Sequence, residues 1–221
     1  MARRRFRRKD LKRPDEFVSR GRQVLLWLQA NVRLVAWSAG GAAILVLLVL
    51  GYFSVRSARD RQANEDLTRA LGEFRAGRYS EAATQLRDVA SRWRSTPAGR
   101  LADLYAANAD LNANNLESAS LVLEQALSER SWPSYLQQQT LLDLGFALER
   151  KGDVAAAASR YAEAARVDGP YTPMAILGEA RCREQAGERD QARELYERFT
   201  REFPDAPELE VVGAKLSALK S

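Results

Sequence analysis

Four alanines, Ala82, Ala119, Ala157 and Ala192, stand 37, 38 and 35 residues apart and carry the same neighbours. Five residues before each lies a turn former: Gly77, Asn114, Gly152 or Gly187. Twelve residues before each lies a small residue: Ala70, Ala107, Gly145 or Ala180. Four residues after come Leu86, Leu123, Tyr161 and Tyr196, and three further on Val89, Ala126, Ala164 and Phe199. Self-similarity at such a period marks stacked supersecondary units, and it restricts the chain more than composition does.

Each recurring position has a physical cause. A small pair twelve residues apart lets two helices approach closely where they cross, and the large residue four later fills the space beside that contact. Glycine, or asparagine as second best, supplies the left-handed residue that ends a helix. Apolar residues at helical spacing, such as Leu67, Leu71 and Phe74, mark buried faces. Pro97, Pro133, Pro173 and Pro207 fall between units and fit first-turn positions, where no backbone N–H is needed. A last segment, "PELEVVGAKLSALK", puts Leu209, Val212, Leu216 and Leu219 on one face, as a helix covering the open end of a stack would. No segment reads as a strand.

These positions resemble the tetratricopeptide repeat (TPR), whose nominal period is about 34 residues. The third unit matches best, with Leu144-Gly145, Ala157, Tyr161 and Ala164; the fourth adds Pro204 after Phe199; the first two lack the Leu-Gly pair. The resemblance implies an all-α fold: a TPR-like solenoid of about four helix pairs, closed by a C-terminal capping helix. It also implies that the first helix of each unit lines a concave groove for proteins or peptides. The positions in that register are Leu67, Leu71, Phe74, Leu104, Asn108, Leu111, Leu142, Phe146, Met174, Leu177 and Arg181. The same positions also suit burial between neighbouring helices, and both readings stand at this point. The family's carboxylate clamp is not expected: Asn108 matches one of its positions, but Leu104 stands where a lysine belongs.

Ahead of the repeats, residues 34–55 carry no charge between Arg33 and Arg56, enough for a helix to cross a bilayer. The apolar run is too long and too far from the start for a cleaved signal, and "SVRSARD" offers no small-x-small site, so an uncleaved signal anchor is expected. Residues 1–56 hold 12 Lys/Arg against 3 Asp/Glu, whereas the remainder is mildly acidic. Eleven of those cations precede the span, which by the positive-inside rule places the N-terminus in the cytoplasm. The expected domains are a basic tail (1–33), a transmembrane anchor (34–55) and a repeat domain (56–221). In a Gram-negative cell the repeat domain lies in the periplasm. Within the tail, Phe17, Val24, Leu25, Leu28 and Val32 suit a helix at the membrane interface, with Trp27 and Arg33 at headgroup level.

No residue cluster supports catalysis. The chain has no histidine and one cysteine, Cys182, which reads as a small core residue. There is no glycine-rich phosphate loop, and the carboxylates lie beside arginines on helices. A non-enzyme without cofactor or metal is expected, binding proteins or peptides and no nucleic acid. The layout of tail, span and repeats also resembles the YfgM family, ancillary periplasm-facing subunits of the Sec translocon. That resemblance rests on Phe17, Val24, Trp27, Leu28 and Asn31 leading into the span; this tail is longer and richer in arginine than the family pattern. Membership implies association with translocon subunits and handover of exported proteins to periplasmic chaperones. Two other readings use the same chain: a scaffold for envelope assembly or cell division, and an arginine tail that recruits ribosomes or acidic lipid.

Overall fold

The computed structural model describes residues 26–128 and 132–220. Among these residues every regular element is a helix. A short helical stretch, 26–30, precedes α1 (Val32–Arg75). Then follow α2 (Tyr79–Arg92), α3 (Pro97–Asn112), α4 (Leu116–Ser128), α5 (Ser134–Lys151), α6 (Val154–Arg166), α7 (Thr172–Gln185), α8 (Arg189–Glu202) and α9 (Leu209–Lys220). The chain divides into two compact units, one through Ala58 and one from Arg59 onward.

In the first unit, the N-terminal part of α1 has no buried face. Trp37, Ile44, Leu47, Leu50 and Phe53 are all exposed. Among the described residues, α1 is the one helix long and apolar enough to cross a membrane, with a mean hydropathy of 2.2 over its most apolar stretch. The expected interfacial residues Phe17, Val24 and Leu25 lie outside the described residues; Leu26 and Trp27 are helical and exposed.

In the second unit, the recurring positions form the interior. Ala70, Ala107, Gly145 and Ala180 are buried, as are Ala82, Ala119, Ala157 and Ala192. The large residues that follow, Leu86, Leu123, Tyr161 and Tyr196, are buried beside them. Three apolar clusters divide the interior. One joins the end of α1 to α2 and α3, the second runs from α3 to α7, and the third joins α7, α8 and α9. Cys182 is fully buried, and burial pushes its thiol up to about 11. Ala157 has no exposed surface. Ala157→Leu is therefore expected to overpack the α5–α6 crossing and cost about 1–3 kcal/mol, read by urea unfolding. A stability equal to wild type would show the repeat register to be misplaced.

The helix ends follow the turn residues. Gly77, Asn114, Gly152 and Gly187 have φ of 75°, 64°, 87° and 80°. After each, the same two backbone bonds close the last turn. At Gly152 its own N–H reaches Glu149 O at 3.0 Å, and the next N–H reaches Leu148 O at 3.0 Å. At Asn114 its own N–H reaches Leu111 O and the Asn115 N–H reaches Asp110 O, so a short polar side chain substitutes for glycine there. At the helix starts, Thr96 accepts from Gly99 N at 3.1 Å with Pro97 as the first helical residue, and Asp153 accepts from Ala156 N at 3.3 Å. Of the four prolines expected in first turns, Pro97 and Pro173 are there. Pro133 instead precedes α5 in an extended conformation, and Pro207 lies in the turn before α9. Outside the helix the missing N–H is equally harmless, so spacing to a proline locates a helix start only within a residue or two.

Consecutive helices pack in order from α2 to α9, and the first helices of neighbouring units also touch, α3 with α5 and α5 with α7. Val212 is buried against α8, with Leu209, Leu216 and Leu219 partly buried around it. The terminal helix thus covers the last pair as its apolar stripe implies.

Candidate protein-binding face

The face in question is built by α3, α5 and α7, the first helices of three units, and the structure sorts its candidate residues by depth. Leu67, Leu111 and Leu142 are buried within the core clusters. Leu71, Phe74, Leu104, Asn108 and Leu177 are half-buried, while Phe146, Met174 and Arg181 are exposed. Phe74 packs edge-on against Tyr79 at 5.3 Å between ring centres. Phe146 lies under the Arg150 guanidinium, 5.4 Å from the ring centre, and Arg150 also donates to Leu111 O at 2.9 Å.

Leu104 and Asn108 are brought together in a cavity of about 200 Å³ between α3 and α5. Each helix contributes four residues with identical spacing: Leu101, Leu104, Tyr105 and Asn108 from α3, and Leu136, Gln139, Thr140 and Asp143 from α5. Offsets of three, four and seven place a quartet on one helix face, and the two quartets face each other. Asp143 sits in this cavity as a half-buried carboxylate. Burial pushes its carboxyl up to about 6, against the opposing pull of a hydrogen bond donated by the Asn108 side chain. Asp143, Tyr105 and Gln139 are not among the positions expected from the repeat register. The signal was present: Tyr105 and Asp143 both stand fourteen residues before their unit's alanine, next to positions already assigned to the face.

Arg181 does not stand free on this face. Its guanidinium makes two parallel bonds to Glu149, Nε to Oε1 at 2.6 Å and Nη2 to Oε2 at 2.7 Å. The Tyr161 hydroxyl donates to the same carboxylate at 3.0 Å. One unit later the arrangement repeats: Tyr196 donates to Glu184 Oε2 at 3.0 Å, and Lys215 reaches both Glu184 oxygens at 3.1 Å. Each carboxylate thus ties the first helix of its unit to the second helix and to the helix after that. Burial raises the Glu149 carboxyl, but the Arg181 bonds and charge, with Tyr161 and Gln185, outweigh it and hold the group below its ordinary value. A depressed carboxyl contributes stability that is present above its unfolded pKa and lost as pH falls through the folded one. Glu149→Gln is therefore expected to weaken the domain at neutral pH. The difference from wild type should shrink as pH drops below the usual glutamate range of about 4.3, measured by unfolding across pH.

Two buried polar groups were not foreseen. Gln138 is fully buried, donates to Val167 O at 3.0 Å and accepts from Tyr171 N at 2.9 Å, which pins the link between α6 and α7. Asp110 is also fully buried and accepts from Ser118 at 2.7 Å and from Arg87. Both satisfy backbone or charge across a helix junction, a role that leaves no periodic mark in a sequence.

A family model described as a tetratricopeptide repeat matches residues 67–135 and 142–207, more than half of the chain. Two solved structures are similar: the nearly identical TPR-like repeats attributed to a Podosopora anserina kinesin light chain, and a point variant of the same repeats. Both are 17% identical and cover 72% of this chain. The first covers 85% of its own chain with a TM-score of 0.60, the second 84% with 0.61. At that identity the likeness is one of fold. No curated protein sequence matches the chain.

Proposed function

Because the chain belongs to the tetratricopeptide repeat family, we propose that it is a membrane-anchored, non-catalytic adaptor. It captures protein segments on the face of α3, α5 and α7. The observation that carries this reading is that face itself: Tyr105, Phe146 and Met174 are exposed on its helices, and Tyr105 lines a cavity that combines leucines with polar groups. Large apolar side chains left exposed on first helices, while every recurring interior position is filled, are what a peptide-binding surface requires.

In this reading residues 1–33 stay in the cytoplasm, residues 34–55 span the inner membrane and residues 56–221 work in the periplasm. An apolar helix with every face exposed supports the span, since only hydrocarbon suits all its sides. The partners are Sec translocon subunits and periplasmic chaperones, following the resemblance of the tail and span to the YfgM family. A reporter fused after Ser221 should be active only in the periplasm; cytoplasmic activity would overturn the orientation. Photocrosslinkers placed at Phe146 and Met174 in intact membranes should then capture translocon subunits or chaperones. Capture of division or outer-membrane assembly components would move the chain to an envelope scaffold instead.

A further inference from the structure

The α3–α5 cavity combines three features. Its walls carry Leu101, Leu104 and Leu136, its lining includes the aromatic Tyr105, and among the described residues Asp143 is its one acidic or basic side chain. Among the described residues no lysine or arginine pairs with Asp143; its partner is the Asn108 amide. Three other carboxylates inside the repeat junctions have close cations: Asp110 with Arg87, Glu149 with Arg181, and Glu184 with Lys215. A lone carboxylate held between leucines costs stability in the free protein, so it calls for a cation from outside.

We infer that the α3–α5 cavity is a receptor for a lysine side chain presented by the captured segment, with Asp143 taking the ammonium and the leucines its methylene stem. This rests on the peptide-capture reading and names what the face selects. Lysine fits by shape and charge. Its four-carbon stem suits an apolar lining, and the ammonium is a compact charge that needs only one open carboxylate oxygen. Arginine fits less well. A guanidinium pairs best with both oxygens of a carboxylate, and the Asn108 bond already engages Asp143. Tyr105 adds a ring against which a cation is favoured. The raised carboxyl of Asp143 fits the same picture, because a bound ammonium would supply a charge partner that none of the described residues provides.

The test uses the full-length chain in detergent micelles and a set of immobilised peptides. Each peptide carries one central residue flanked by leucines: lysine, arginine, Nε-acetyl-lysine, norleucine or glutamine. The lysine peptide should bind at least about tenfold tighter than the norleucine, glutamine and acetyl-lysine peptides. Asp143→Asn should erase that preference while leaving the helical circular dichroism unchanged. Equal binding of lysine and norleucine by the wild type would overturn the inference and leave peptide capture standing. So would a lysine preference that survives in Asp143→Asn, or a preference for arginine over lysine. If no peptide in the set binds, the capture reading falls and the inference with it.

Discussion

Tyr161→Ala is expected to lower the stability of the repeat unit by about 3–5 kcal/mol. The tyrosine is 3% exposed and belongs to the cluster that runs from α3 to α7. Its ring lies between two glycines on different helices. A Cβ added at Gly145 on α5 would come within 2.9 Å of the ring, and one at Gly178 on α7 within 2.7 Å. The ring therefore fills a slot that two helices leave by having no side chain there. Truncation opens a void that neither glycine can relax into, which puts the cost at the upper end of the range for aromatic deletions. Tyr161→Phe separates the two contributions. It keeps the ring and removes only the bond to Glu149, at a cost of about 1.5–3 kcal/mol for a bond to a charged group. Urea unfolding followed by helical circular dichroism measures both. If alanine costs no more than phenylalanine, the ring is not the clamp between α5 and α7.

Asp143→Asn is expected to act in the opposite direction and stabilise the protein at neutral pH. The carboxyl is raised from 3.8 to about 6 in the folded state, chiefly by burial. The folded protein then holds this proton more tightly than the unfolded chain does. The sign follows from linkage: stability contributed by the group falls as pH rises from the unfolded value to the folded one. Above about pH 6 the loss is complete, on the order of 3 kcal/mol. Asparagine has no charge to bury, so the variant should exceed wild type by up to that amount at pH 7. The gap should close near pH 4 and below. Comparing the two proteins across pH cancels the contributions of Glu149 and every other shared group. A variant less stable than wild type at pH 7 would mean that ionised Asp143 has a cationic partner within the fold. The same substitution tests the lysine receptor, so gain of stability and loss of lysine preference should occur together, as expected of a group kept for binding at the expense of folding.

The sequence by itself determined the repeat and its hidden surface. Gly77, Asn114, Gly152 and Gly187 could be read as left-handed helix ends because few residues tolerate that backbone, and all four adopt it. Ala82, Ala119, Ala157 and Ala192 with their small partners could be read as crossing points because close helix approach excludes larger side chains, and all are buried. The tertiary structure alone decided which residues of the first helices remain open. Leu142 and Phe146 are one turn apart in the same helix, yet one is 8% exposed and the other 44%. Their difference depends on how α3 and α7 lie against α5. It was the tertiary structure, too, that set Asp143 beside Asn108, drew Arg181 onto Glu149 and sealed Gln138 against the α6–α7 link. Periodicity records the short-range constraints that every unit must meet in the same way. Pairing between units joins residues some thirty positions apart and is kept less strictly: the tie of Glu149 to Arg181 recurs as Glu184 to Lys215 with another cation at another spacing, and one sequence does not mark such pairs.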